Sequence, residues 1–104
     1  MVANNENLST YRVTCSRTEE FLSTGEIFEG EVVNIIDAVS EWCAIDELKH
    51  RIFYEAKKEG YKLKVNEPDY LVFVGTIDIY MSNPPKTIVK MYKFTDFKCT
   101  LTDC

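Results

Sequence analysis

Cys43 and His50, the chain's only histidine, make a cysteine–histidine combination of the kind that a thiol nucleophile or a metal ion would call for. They stand seven residues apart. On a helix this is two turns, so both side chains share a side but lie about 10.5 Å apart along the axis. A metal ion holds its ligands at about 2.0–2.3 Å, and activating a thiol needs hydrogen-bond reach, so neither chemistry fits this spacing. With Ile36, Val39 and Tyr54 the pair reads instead as a half-buried helix edge. Cys99 and Cys104 are no better placed for metal, because they lack the Cys-x2-Cys spacing and no second close pair of ligands accompanies them.

Acid–base chemistry is equally thin. Glu29, Glu31, Glu41, Asp46 and Glu47 are plentiful carboxylates, but general acid–base work needs a cleft that moves a pKa toward the working pH. Gly25, Gly30, Gly60 and Gly75 stand alone, so no glycine-rich loop can cradle a phosphate, and no Gly-x-Ser-x-Gly elbow occurs. The sequence therefore points to no catalytic residue, no metal and no cofactor, and an enzyme is not expected.

The 104 residues are 45% hydrophobic and 28% charged, the balance of a globular chain with enough apolar area for one core, so a single domain over 1–104 is expected, frayed over residues 1–7. The net charge of −5 hides an asymmetry. Residues 1–47 carry ten acids against two bases (net −8), and residues 48–104 carry seven acids against ten bases (net +3). An acidic domain is repelled by phosphate backbones, which argues against nucleic acid and anionic membranes as partners. Lys86, Lys90 and Lys98 do interleave with Tyr92 and Phe94, but Lys93 would point the other way. The converse, an acidic mimic of nucleic acid, would need Glu19, Glu20, Glu26, Glu29, Glu31, Asp37, Glu41, Asp46 and Glu47 on one face. The first residues lack a basic and then apolar leader, and no run approaches the ~18 apolar residues of a membrane span. A cytoplasmic protein is expected, with Cys15, Cys43, Cys99 and Cys104 as reduced thiols.

These residues must be positioned by the elements that the periodicity predicts. Tyr11, Val13 and Cys15 alternate with polar residues as a half-buried strand. Residues 16–25 read as a loop. Ile27-Phe28 and Val32-Val33 flank Glu29-Gly30-Glu31 as a second strand, bent at Gly30. A helix is expected from about Asn34, its N-cap, to Glu59, with Ile35, Ala38, Trp42, Ile45, Leu48, Ile52, Phe53 and Ala56 on one broad face. Glu47 and Arg51 form an i,i+4 pair, and Gly60 serves as the left-handed residue that ends the helix. Strands follow at residues 61–65, 70–81 and 87–101, with turns at 66–69 and 82–85. Pairing Ile79 with Val89 in the last hairpin puts Ile77 opposite Met91, Leu71 opposite Phe97 and Asp78 opposite Lys90.

The expected architecture is α+β and two-layered: an antiparallel sheet of about five strands with one long helix packed on one face, in the order β-β-α-β-β-β. In that register the face turned away from the helix displays Tyr70, Val72, Val74, Tyr80, Tyr92 and Phe94. Aromatic faces of this kind favour protein interfaces. The first expectation is a non-enzymatic protein-binding domain that acts through these six residues, on a protein partner or on itself as a homodimer. A small acidic inhibitor, immunity or regulatory protein fits that description. The alternatives are a small-ligand binder or small enzyme, with a pocket between helix and sheet lined by Trp42, Tyr54, Tyr61 and Tyr80, and the nucleic-acid mimic.

Overall fold

The computed structural model describes residues 8–79, 81 and 83–102. Strands β1 (Ser9–Phe21) and β2 (Glu26–Ala38) precede helix α1 (Glu41–Lys58), and β3 (Lys62–Glu67), β4 (Tyr70–Ile79) and β5 (Lys86–Leu101) follow it. The five strands form one antiparallel sheet in the order β2-β1-β5-β4-β3. The α+β class, the antiparallel five-stranded sheet and the β-β-α-β-β-β order are those expected from the periodicity. Residues 1–7, Tyr80, Ser82, Asp103 and Cys104 lie outside the described residues, and with them the expected fraying of the N-terminus.

The N-terminal hairpin is longer than the sequence suggests. Residues 16–21, expected as loop, continue β1, and Asn34–Ala38, expected as the first turns of the helix, continue β2. The two strands pair without interruption from Ser9↔Ala38 to Phe21↔Glu26. The run Val32-Val33-Asn34-Ile35-Ile36 is β-branched at four of five positions, and such side chains lose less freedom on a pleated surface than in a helix. Thirteen residues of ladder outweigh the helical spacing of Ile35 and Ala38. The helix N-cap is accordingly Ser40, not Asn34: Ser40 Oγ accepts the Cys43 N–H at 3.2 Å. Asn34 meets the helix by another route, accepting the Arg51 guanidinium at 2.9 Å.

The C-terminal end of α1 follows the expectation. Gly60 has φ 88°, the Gly60 N–H donates to the Lys57 carbonyl, and the Tyr61 N–H reaches back to that of Ala56. This is the Schellman arrangement, which satisfies carbonyls that have no partner within the helix. The Glu47–Arg51 pair forms at 3.2 Å.

Helix α1 lies on one face of the sheet through Ala44, Leu48 and Ile52. These join Tyr11, Val13, Cys15, Ile36, Ala38, Leu71, Phe73 and Phe94 in the core, with Ile45, Phe53 and Ala56 packed at its margin. Trp42, expected on this face, is 74% exposed, because the buried stripe runs through Ala44, Leu48 and Ile52 and Trp42 lies about 120° around the helix from its centre at Leu48. Lys49 behaves as its position on the apolar side requires. Its stem lies inward, and its ammonium sits over the Phe97 ring and donates to the Pro68 carbonyl. Gly75 leaves room for a ring: a Cβ there would stand 2.3 Å from Cδ1 of Tyr61.

The hairpin of β4 and β5 pairs in a different register from the one expected. Ile79 faces Lys86, Phe73 faces Tyr92 and Leu71 faces Phe94. Beyond this hairpin β5 is bulged, and the bulge sets which of its residues share a face. Between Thr14↔Lys98 and Ser16↔Thr95, β1 advances two residues while β5 advances three, and Asp96 absorbs the extra residue with φ 56°. An extra residue reverses the alternation of faces. Tyr92 and Phe94 therefore face the helix, as do Phe97 and Cys99 beyond the bulge. Val89 and Met91, expected under the helix, face away from it. The expected Asp78–Lys90 pair does not form: Asp78 faces Thr87, whose hydroxyl donates to it at 2.8 Å.

Candidate protein-binding surface

The register divides the predicted binding residues between the two faces. Tyr70, Val72 and Val74 alternate with the core residues Leu71 and Phe73, and so point away from the helix. Tyr92 and Phe94 are on the helix side. Phe94 is buried there, edge-on to Phe73 at 6.0 Å, and Tyr92 meets Tyr61 edge-on at 5.0 Å. Tyr80 lies outside the described residues. The single aromatic face is thus corrected to a buried aromatic row under the helix and, behind the sheet, a face that is aliphatic apart from Tyr70. The missed signal was Thr95-Asp96, a polar pair between two aromatic stretches where a bulge is cheap because Asp tolerates the left-handed region.

On the helix side, an open groove of about 780 Å³ lies beside the C-terminal half of α1. Val32, Leu48, Ile52 and Phe94 form its floor, and Arg17 and Glu55 stand at its rim. Tyr54 and Tyr61 of the predicted pocket line this groove, whereas Trp42 stands across the helix beside Ile45 and Tyr70. Burial, and then the neighbouring Tyr92, push the Tyr61 hydroxyl above its ordinary pKa. Further along the same face, the Lys90 ammonium pairs with Glu19 and sits over the rings of Phe21 and Tyr92. Burial alone would lower its pKa, but the Glu19 carboxylate and the Tyr92 hydroxyl raise it more.

The cysteine chemistry follows the spacing argument only in part, because the helix edge on which it placed Ile36 and Val39 begins later. Ile36 is a core residue of β2, and Val39 lies between β2 and the helix. His50 approaches Asp46 at 3.7 Å. Cys15 is wholly buried, and its burial pushes the thiol up to about 11. Cys99 is raised by burial and then by Glu41. Among the described residues no three His, Cys, Asp or Glu side chains gather as a metal site, and no helix is long and apolar enough to cross a membrane.

The sheet face behind the helix has no element over it among the described residues. On β2 it presents Ile27, Val33 and Ile35, which are 57%, 44% and 58% exposed, and toward the middle of the sheet the half-buried Val74, Val89 and Met91. β2 is also an edge of the sheet. Its first six residues, Glu26 to Glu31, are exposed on both faces, because the hairpin there runs past the end of the helix. Glu26, Glu29 and Glu31 have no ion-pair partner among the described residues, while Asp37 accepts the Thr10 hydroxyl at 2.6 Å. The acids do not share a face: Glu29 and Glu31 lie behind the sheet, and Glu41, Asp46 and Glu47 lie on the helix in front. The opposite edge, β3, is six residues long, bulged at Lys64, and carries Lys62 and Lys64.

Fold and surface together define a class: a two-layer α+β protein with one sheet face uncovered among its described residues, and with one long, unprotected edge. Comparison of the chain with protein-family models, with curated proteins and with solved structures finds no match.

Proposed function

We propose that this chain is a non-enzymatic protein-binding module whose partner, bearing a basic surface, docks on the β2 side of the sheet. The observation that carries this reading is β2 itself: thirteen residues at the sheet edge with Ile27, Phe28, Val33 and Ile35 all exposed. On the outer face Val33 and Ile35 adjoin, with Glu29 and Glu31 between them and Ile27, while Phe28 lies on the other face; exposed apolar side chains set among charges in this way are characteristic of interaction sites. The unpaired carboxylates beside it favour a basic partner over a second copy of the same acidic strand, because an isologous contact would set like charges together.

The test uses the full chain. The immobilised protein and its Val33→Glu/Ile35→Glu variant are compared, from host extract, by quantitative mass spectrometry. Both positions are exposed, so the variant keeps the melting temperature of the parent. The expected result is that a small, defined set of proteins is retained by the parent and lost from the variant. Identical retained sets would overturn the reading. A parent that sediments as a dimer and a variant that sediments as a monomer would replace the partner with a second copy.

A further inference from the structure

We infer that the partner contributes an extended basic segment which adds to the sheet as a sixth strand along β2. This inference rests on the protein-binding reading above and names the mode of docking. An edge strand presents a row of backbone N–H and C=O groups with no partner, and folded proteins blunt such edges by shortening, bulging or covering them, or by placing proline or charged side chains, lysine above all, along them; on β2 only its acids do this. The two edges of this sheet differ in that respect. β3 is short, bulged and lysine-bearing, whereas β2 runs thirteen residues without a register shift, a proline or a lysine.

Strand addition takes its affinity from main-chain hydrogen bonds and its specificity from alternate side chains. On the outer face of β2 the alternate positions read Ile27, Glu29, Glu31, Val33 and Ile35. A matching strand carries apolar side chains opposite Ile27, Val33 and Ile35, and lysine or arginine opposite Glu29 and Glu31, since opposite charges across a ladder stabilise the pairing and like charges oppose it. Among the described residues no edge strand of the chain has this pattern: β2 itself carries acids where lysine or arginine is needed, and β3, the basic edge, is six residues long and interrupted at Lys64.

The experiment is amide hydrogen exchange of the full chain with three synthetic peptides in which threonine alternates with the residues that meet the outer face of β2: one with valine, valine, lysine, lysine and valine at those alternate positions, one with glutamate in place of lysine, and the lysine peptide with proline in place of the threonines. The lysine–valine peptide is expected to slow exchange within Glu26–Ala38 at least about tenfold, and about 0.5 M salt is expected to weaken it through screening. The other two peptides are expected to leave these amides unchanged. In the Glu29→Lys/Glu31→Lys variant the preference is expected to pass to the glutamate peptide.

Equal slowing by the lysine and glutamate peptides, or slowing by the proline peptide, overturns strand addition, because either would mean binding without ladder or charge selection. Protection of β2 that rises with protein concentration alone overturns it in favour of a second copy. If no peptide protects β2 while Val33→Glu/Ile35→Glu still loses its retained proteins, strand addition fails and the protein-binding reading stands. If both results are negative, both fall.

Discussion

Cys15 shows how burial sets the character of a reactive group. Its side chain is fully enclosed between Val32 and the core, and removing the thiol from water penalises the thiolate, which moves its pKa from 9.0 to about 11. The folded state thus holds the proton more tightly than the unfolded chain does. Stability from this site is complete below pH 9 and is lost as the pH rises toward 11. Chemical denaturation across that window is expected to show a fall of order 2 kcal/mol in the parent. In Cys15→Ala this part of the slope is expected to disappear. At neutral pH the native thiol is expected to resist alkylation.

At the scale of the element, the two ends of α1 differ in what announces them. Gly60 ends the helix through a property of its own backbone, so the sequence alone marks the place. The start depends on a competition decided elsewhere: Asn34 and Ser40 are both good caps, and the choice between them falls to the thirteen-residue ladder with β1. Replacing Ser40 by alanine is expected to cost about 1 kcal/mol in urea denaturation, measurably more than replacing Asn34 by alanine, which loses one exposed hydrogen bond to Arg51. The register of the last hairpin was illegible for a related reason. Both β4 and β5 carry apolar residues at odd and even positions, so alternation permits two pairings. One left-handed residue, Asp96, sets which residues of β5 share a face, and neighbouring β1 fixes that residue in place. Element order and layer arrangement were readable because they need only period and punctuation. The binding face was not, because a single inserted residue moves Tyr92 and Phe94 to the other side.

The whole molecule is elongated. Its radius of gyration is 17.1 Å, against about 13 Å for a compact chain of this length, and its extents are 62 × 26 × 24 Å. An eighteen-residue helix covers only about 27 Å of this length. The sheet therefore has a covered end, where Tyr11, Val13, Cys15 and Ile36 are buried, and an uncovered end around the β1–β2 turn, where Leu22, Ile27 and Phe28 are exposed. Opening costs least where few apolar contacts are lost. Amides in Phe28–Glu31 are expected to exchange faster than those in Tyr11–Cys15, and uniform protection along the hairpin would contradict this division.

The charge asymmetry of the sequence survives folding as an arrangement in space. β1 and β2 hold six carboxylates and two arginines at one side of the sheet, while β3, β4 and β5 hold six lysines and three carboxylates at the other. Near a basic surface such a molecule feels a torque as well as a pull. It turns before it touches, so that β2 leads and fewer collisions are spent in useless orientations.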